Sequence, residues 1–195
     1  MRVWTIQPLE VFNNLMKDGV YICDKTKSSY LSDELFQDTF TNAYNWLNEK
    51  MIEKIGNPPE GVEYPVWAWY KRYNKHKKPD LRNVGLGTPG EDSVCIELEI
   101  PDSDVVLSDF DAWHSVLNNW YIDDSTNEKE YDEMQARVDA LPRETKEKEI
   151  KKSWNKIFDI SYLDTDWRAN GIFVQATFWI LKKEYIVNYW KFKAR

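Results

Sequence analysis

The sequence predicts an α+β fold: a single domain with a mostly antiparallel, split β-sheet, flanking helices and a charged helical insertion. Three observations predict this class. Strand and helix patterns alternate early in the chain, β-rich segments close it, and a chain of 195 residues with 42% hydrophobic side chains can bury one sizeable core. We therefore expect residues 1–195 to form one domain.

The N-terminal region predicts two short strands around one helix. Residues 3–7 alternate apolar and polar side chains, as a half-buried strand does. Pro8 suits the first turn of a helix, apolar residues then recur at helical spacing, and Gly19 ends the pattern. Residues 20–22 predict the second strand.

A long helix and two strands are predicted next. Ser32 is a good N-cap, and apolar residues keep helical spacing from there to about Ile55, before the Gly-Asn-Pro-Pro run at residues 56–59. Residues 66–70 favour a strand. Residues 94–100 alternate apolar side chains with cysteine and glutamate, which predicts a strand with one wet face.

The second half begins with a helix and a charged segment. Ser108 or Asp109 can cap a helix whose apolar residues run to Trp120. Residues 123–149 are strongly charged, with Pro142 between two helical stretches, and hold too few large apolar residues for a core of their own. We expect them to be a helical insertion.

Three further segments complete the chain. Residues 146–158 predict an amphipathic helix that overlaps the end of the insertion. Residues 172–181 and residues 186–192 are rich in β-branched and aromatic side chains, which predicts two closing strands.

Charge is divided unevenly along the chain. The formal net charge of −7 argues against a general nucleic-acid coat protein. Residues 71–82 nevertheless hold six Lys and Arg plus one His against one Asp, whereas residues 91–133 hold fourteen Asp and Glu against one Lys. Such asymmetry can steer an anionic ligand to one side of the molecule, although solvated loops are the alternative interpretation.

The composition predicts a cytoplasmic protein. Cys23 and Cys95 are too few for a disulfide framework and lack zinc-ligand spacing, so we expect a reduced compartment and no metal. No segment has the apolar length of a membrane span, and the N-terminus lacks the apolar region of a signal peptide. We therefore expect no membrane partner.

One segment joins aromatic rings to positive charge. Residues 65–73 read Pro-Val-Trp-Ala-Trp-Tyr-Lys-Arg-Tyr and run directly into Asn-Lys-His-Lys-Lys. This combination suits a surface that stacks on a planar group and neutralises phosphate, as a nucleotide or a nucleic acid requires. We expect Trp69 and Tyr70 to stack on the planar ring and Lys71 or Arg72 to meet the phosphate.

No strong catalytic signature is present, and the candidates are single residues. His114 lies within one helical turn of Phe110 and Asp111, where a carboxylate could orient the imidazole as a base; a structural histidine is the commoner alternative. Asn118 and Asn119 stand beside two aromatic residues and could hold a sugar or a base edge, or else form a helix C-cap.

A polar pair interrupts the first of the closing strands. Gln175 and Thr177 fall on one face of this predicted strand. Burying such groups costs free energy unless they are paired, so either a ligand or a hydrogen-bond network must compensate. We favour a ligand.

Four segments resemble a bacterial and phage family known only as a domain of unknown function. They are Trp-Thr-Ile-Gln at residues 4–7, Tyr-Pro-Val-Trp-Ala-Trp-Tyr at 64–70, Ser-Asp-Phe-Asp-Ala-Trp-His through Asn-Asn-Trp-Tyr at 108–121, and Gln-Ala-Thr-Phe-Trp at 175–179. The likeness spans nearly the whole chain and brings no established activity with it.

The two ends of the chain are also similar to ADP-ribosyltransferase-like domains. Residues 3–7, a helix, Gly19 and a short strand resemble their opening, where a first-strand His or Arg holds NAD. Thr5 stands where the His is expected, with Arg2 nearby, and residues 175–177 stand where the catalytic glutamate is expected. A glutamine cannot stabilise an oxocarbenium-like transition state by charge as a carboxylate does.

This second resemblance implies a nucleotide-recognising domain that acts on NAD or on a nucleotide-bearing ligand. Arg2, Thr5, Gln7 and Gln175 would line its cleft, with NAD as the cofactor. The residues leave open whether the chain is an enzyme, because the expected glutamate is not evident. The catalytic candidates are Gln175, Thr5 and His114.

Two other classes of function remain open. The acidic residues 91–133 offer a negative surface to a basic protein partner, which predicts a non-catalytic interaction protein. Residues 67–82 could instead bind RNA or DNA directly, with an affinity that falls steeply with salt.

Overall fold

One six-stranded antiparallel sheet organises the computed structural model, which describes residues 1–24 and 37–195. Its strands are β1 Arg2–Pro8, β3 Val66–Lys71, β4 Asp92–Glu99, β5 Val106–Asp109, β8 Val174–Phe178 and β10 Ile186–Lys193. They lie side by side in the order β10-β4-β1-β3-β8-β5.

The remaining elements flank this sheet. Two small antiparallel pairs join β2 Val20–Tyr21 to β9 Leu181–Lys182 and β6 Leu163–Asp164 to β7 Ala169–Asn170. The helices are α1 Leu9–Asp18, α2 Gln37–Ile55, α3 Phe110–Leu117, α4 Glu128–Asp139 and α5 Arg143–Ser153, which continues into a 3-10 turn at Trp154–Phe158. None of the helices described is both long and apolar enough to cross a membrane.

The predicted α+β class with an antiparallel sheet is confirmed. The charged insertion contains α4 and the first part of α5, and Pro142 separates them as predicted. The second half of the predicted helix at residues 146–158 is a 3-10 turn. The proposed N-cap Ser32 lies outside the described residues.

One strand and the end of one helix differ from the sequence-based expectation. The pattern missed β5, because this short strand ends at the residue that also caps the next helix, Asp109. The helix predicted to reach Trp120 ends at Leu117, since Asn118 caps it and Asn119 adopts a left-handed conformation with φ 56°.

One face of the sheet packs against α1. Residues directly opposite one another in paired strands share a face, so the register fixes which side chains point this way. Apolar side chains from β1, β3, β4 and β8 meet Phe12 and Leu15 of α1 here. The buried members are Val3, Phe12, Leu15, Val66, Ala68, Val94, Ile96, Leu98, Ile100, Val105, Ala176, Phe178 and Leu181.

The opposite face packs against α2, α3, α5 and the 3-10 turn. The cluster covers the end of the sheet formed by β3, β8 and β5, and its buried members are Ala43, Trp46, Leu47, Met51, Val62, Val106, Trp113, Val116, Ile150, Trp154, Ile157 and Trp179. The Trp46 and Trp154 rings meet edge to face, 5.4 Å apart. The Trp154 Nε1 donates to the Trp120 carbonyl at 2.8 Å, so burial of this indole leaves no polar atom unpaired.

The buried carboxylate of Asp109 joins three segments. It is 2% exposed, and its Oδ1 accepts the Ala112 N–H at 2.8 Å, which caps α3. Its Oδ2 accepts the Gly171 N–H at 2.7 Å, just before β8. Gly171 has φ 65°, and a Cβ there would lie 2.5 Å from the Ile160 carbonyl oxygen, so only glycine fits.

Replacing this carboxylate should destabilise the fold. We expect Asp109→Ala to lower the free energy of unfolding by about 2–4 kcal/mol, because it removes the helix cap and leaves the buried Gly171 N–H unpaired. Urea unfolding measures the change. The neighbouring exposed carboxylate serves as the control, and Asp111→Ala should change stability by less than about 1 kcal/mol. Equal losses for the two variants would contradict this role of Asp109.

Candidate functional site

A row of large and polar side chains crosses four neighbouring strands. Trp4 of β1 lies directly opposite Trp69 of β3, Trp69 lies opposite Gln175 of β8, and Gln175 lies opposite Ser108 of β5. Because opposite residues share a face, the four side chains form one transverse row on the face away from α1.

The polar atoms of this row are buried and unpaired. Trp4 Nε1, Gln175 Oε1 and Ser108 Oγ have no hydrogen-bond partner among the protein atoms described. A buried polar atom without a partner costs roughly 1–3 kcal/mol. Thr177, which neighbours the row, behaves differently, because its hydroxyl donates to the Val106 carbonyl at 3.3 Å. Three buried unpaired polar atoms are thus concentrated in the row, and Asn48 Oδ1, Trp67 Nε1 and two nitrogens of Arg72 are further examples outside it.

Aromatic rings and one guanidinium cover the row. The Trp69 and Phe110 ring centroids are 5.1 Å apart, and the guanidinium carbon of Arg72 lies 4.8 Å from the Trp69 centroid. The same guanidinium is 6.0 Å from the Tyr73 ring, which in turn meets Phe173 at 4.8 Å. Arg72 is thus held between two aromatic rings by cation–π contacts.

Arg72 is a half-buried cation without a carboxylate. Its Nε and Nη1 are buried and unpaired, and no Asp or Glu in residues 1–24 or 37–195 lies within ion-pair distance. Burial lowers the pKa of this guanidinium below its ordinary value, which reports the loss of solvation. A desolvated positive charge of this kind is stabilised when an anion approaches it.

A tight turn sets the position of the guanidinium. The Arg72 and Lys75 backbones exchange hydrogen bonds of 3.2 and 3.1 Å, and the two residues between them, Tyr73 and Asn74, both have φ 53°. Two positive φ values in succession are what a type I′ turn requires. The Asn74 N–H also donates to the Ile172 carbonyl at 2.8 Å, which fixes the turn against the segment before β8.

The residues after the turn form a cationic pocket of about 200 Å³. It is lined by Arg72, Tyr73, Lys75, Lys77, Lys78, Pro79, Asp80 and Asn83. The carboxylate in this lining is already neutralised, since Arg82 Nη2 donates to Asp80 Oδ2 at 2.6 Å and holds the pKa of Asp80 well below its usual range. None of the three lysines has an ion-pair partner in the described part of the chain. The pocket therefore carries excess positive charge.

Of the ligand contacts predicted from the sequence, Arg72 lines this pocket, whereas Trp69, Tyr70 and Lys71 do not. Trp69 belongs to the polar row, but its ring is already contacted by Arg72 and Phe110. The Tyr70 ring is already contacted by His76, at 4.3 Å between centroids. Lys71 Nζ lies 6.0 Å from the Tyr70 centroid, outside the pocket lining.

The structure does not bring Thr5 and Gln7 to the same face as Gln175. Thr5 follows Trp4 in the strand, so its side chain points to the α1 side, where it is fully buried. Its hydroxyl donates to the Trp67 carbonyl at 2.8 Å and accepts from Gln7 Nε2 at 2.8 Å. These two side chains therefore form a separate hydrogen-bonded pair.

Arg2 is also engaged elsewhere. Its Nε lies 3.5 Å from Glu97 Oε1 and 3.2 Å from Glu99 Oε2. These carboxylates neutralise its charge at the start of β1. Arg72, by contrast, has no described carboxylate beside it.

The helical candidates are placed apart from the pocket lining. His114 Nδ1 lies 2.9 Å from the Phe110 carbonyl oxygen, and its imidazole is exposed. The Asn118 side chain donates to the His114 carbonyl at 2.7 Å, as expected of the C-cap alternative. Asn119 contributes to a different groove, beside Trp120.

Sequence reasoning missed Tyr73 as the exposed ring of the site. This side chain is 59% exposed and lines the cationic pocket. The available signal was the pair Tyr73-Asn74 between a strand and a basic run, because asparagine tolerates positive φ and favours tight turns. The tyrosine made the turn difficult to predict from the sequence, since tyrosine rarely adopts positive φ.

The fold and the site together define an antiparallel α+β domain with a cationic pocket at one side of its central sheet. The model of the family Domain of unknown function (DUF3841) matches residues 2–187, and the chain belongs to this family. The predicted membership of an uncharacterised family is thereby confirmed. Neither the curated proteins nor the solved structures searched contain a match to the chain.

The unpaired serine of the polar row gives a stability test. We expect Ser108→Ala to leave the free energy of unfolding unchanged or to raise it by up to about 1 kcal/mol, because the mutation removes a buried hydroxyl that has no partner. The matched control is Ser153→Ala, since Ser153 is also buried but donates to the Ile150 carbonyl and accepts the Ile122 N–H. This control should lower stability by about 1–2 kcal/mol. A loss of similar size for Ser108→Ala would contradict the interpretation.

Proposed function

We propose that the domain binds a nucleotide, with its phosphate in the cationic pocket and its planar ring against Tyr73. The observation that carries the proposal is Arg72, a half-buried guanidinium without a described carboxylate, at the edge of a pocket lined by three lysines. The family match leaves the ligand open, so the proposal rests on the chemistry of these residues.

Phosphate suits the charges of this pocket. Arginine presents a planar fork of N–H donors that matches two oxygens of one phosphate, and lysine adds point charges around it. The pocket supplies both, with Lys75, Lys77 and Lys78 beside Arg72. The chain as a whole carries −7, so a local positive site would draw an anion to this side of an otherwise repelling surface.

The pocket is large enough for only one part of a nucleotide. A volume of about 200 Å³ holds a phosphate group, whereas sites for complete small-molecule ligands usually measure about 300–1,000 Å³. The rest of the ligand must therefore lie along the rim. Tyr73 stands there with 59% of its surface exposed, and a base stacked on such a ring gains roughly 1–3 kcal/mol.

The proposal covers binding, with NAD and simple nucleotides as the ligands to test first. The resemblance to ADP-ribosyltransferases implies that Thr5, Gln7 and Gln175 share a cleft. Thr5 and Gln7 pair with each other on the α1 side, whereas Gln175 lies on the opposite face. This placement lends no support to ADP-ribosyl transfer, so we propose no catalytic role for these residues.

Removing the guanidinium should weaken nucleotide binding. We expect Arg72→Gln to reduce the affinity for AMP and NAD about tenfold or more, because it removes the charge-assisted hydrogen bonds to phosphate. Isothermal titration calorimetry measures the change. Arg143→Gln is the control, since this exposed arginine of α5 pairs with Glu147 outside the pocket. The proposal fails if wild-type protein binds neither nucleotide, or if Arg72→Gln binds as tightly as the control.

Removing the exposed ring should separate base binding from phosphate binding. We expect Tyr73→Asn to lower the affinity for AMP about tenfold and to leave the affinity for inorganic phosphate unchanged, because stacking acts on the base alone. Asparagine is chosen since it tolerates the φ of 53° found there. Equal losses for AMP and phosphate would show that the ring acts through the fold of the turn and would contradict the stacking role.

A further inference from the structure

A second groove, of about 530 Å³, lies between the end of α3 and the pair α4 and α5. Its apolar wall is formed by Trp120, Tyr121, Tyr131, Met134 and Val138, and Asp123 is among its polar lining residues. It shares no lining residue with the cationic pocket. The proposed nucleotide site therefore does not include this groove.

The backbone holds Trp120 with its ring in solvent. The indole is 61% exposed, while the Trp120 N–H donates to the Ser115 carbonyl at 2.8 Å and its carbonyl accepts Trp154 Nε1 at 2.8 Å. Both backbone groups are thus fixed by buried structure. Tyr131 is 41% exposed, and its ring lies 6.5 Å from that of Trp167, which is 45% exposed. The exposed rings extend the patch from the groove to the β6–β7 pair.

The groove lies in the most acidic part of the chain. Residues 123–149 contain ten Asp and Glu against five Lys and Arg. Within the groove, Asp123 Oδ1 accepts the Ser125 N–H at 2.7 Å, and no cation of the described residues is within ion-pair distance of this carboxylate. Asp139, on the other wall, is paired with Lys146 at 2.7 Å. Asp123 is therefore the lining carboxylate that is ready to accept an external cation.

The chain already places its own cations against one aromatic ring of this groove. Lys156 Nζ lies 5.5 Å and the guanidinium carbon of Arg137 lies 5.9 Å from the Tyr121 centroid. Trp120 and Tyr131 have no such cation among the residues described. The local chemistry thus favours basic groups on aromatic faces, and two rings remain open to them.

We infer that this groove docks a partner protein through a segment in which Lys or Arg side chains flank apolar residues. The aliphatic part of each basic side chain would lie along Trp120 and Met134, and its charged end would reach Asp123. Charge complementarity identifies the occupant, because the charge left uncompensated in the groove lining is the carboxylate of Asp123, Asp139 being paired with Lys146. An acidic or purely apolar segment lacks the charges that this rim requires.

Two synthetic peptides test the inference. One has lysines and arginines flanking a pair of leucines, and the other has glutamates in place of the basic residues. We expect the basic peptide to bind the full chain and to shift the indole N–H resonance of Trp120, assigned by its loss in Trp120→Phe. We expect the acidic peptide to leave that resonance in place. The inference is overturned if the basic peptide does not bind or if both peptides bind equally.

Variants locate the binding in the groove. Trp120→Ala and Asp123→Asn should each weaken binding of the basic peptide roughly fivefold or more, since they remove the ring and the lining carboxylate. Tyr162→Ala and Glu144→Gln are the matched controls, because Tyr162 is 54% exposed and neither residue lines the groove. Unchanged circular dichroism of every variant shows that its fold is intact. Equal affinities for Trp120→Ala and Tyr162→Ala, or dimers of the wild-type chain that Trp120→Ala abolishes, would overturn the proposed partner.

Discussion

The in-register pairing of β3 with β1 and β8 decides what each face of the central sheet can do. Trp69 lies directly between Trp4 and Gln175, and successive side chains of each strand alternate between the two faces. The alternation that sets Gln175 beside Trp69 also turns Thr5 toward α1, where it is buried and hydrogen-bonded to Gln7. A slip of one residue in β8 would replace the polar member of the row by Ala176. The register of this pairing shifts between Trp69 and Lys71, immediately before the turn that leads to the cationic pocket.

The unpaired cations of the pocket and the unpaired carboxylate of the groove lie on different surfaces of the molecule. The carboxylate that lines the cationic pocket, Asp80, is paired with Arg82, so the lysines beside Arg72 have no carboxylate partner among the described residues, although Lys78 lies over the Trp190 ring. The acidic segment shows the reverse arrangement, since Asp123 faces a groove while Asp139 is paired within the chain. A protein with a net charge of −7 therefore has one locally positive surface and one surface with an unpaired carboxylate, and both of our proposals depend on this separation.

The sequence predicted those features that depend on local periodicity. The strand at residues 94–100 and the Pro142 break between charged helices have local causes, and both appear in the structure. The expected wet face of this strand is instead largely buried, with Ser93 3% and Cys95 0% exposed. The face that each residue shares with distant strands depends on register between segments far apart in the chain, which no local pattern encodes. The resemblance to ADP-ribosyltransferases predicts one cleft for Thr5 and Gln175, but the register places them on opposite faces of the sheet. The exposed ring of Tyr73 escapes prediction for a local reason, because tyrosine rarely adopts the positive φ found in this turn. The short strand β5 was missed because four residues are too few for a period to be visible.

The left-handed pair Tyr73-Asn74 keeps a large aromatic ring exposed at the expense of local backbone strain. Neither residue is glycine, although a glycine would adopt these angles with less strain. Laboratory selection for a higher melting temperature would therefore favour smaller residues at these two positions of the turn. Such variants would be more stable but would lack the exposed Tyr73 ring, and a screen for solubility or melting temperature alone would not detect that loss.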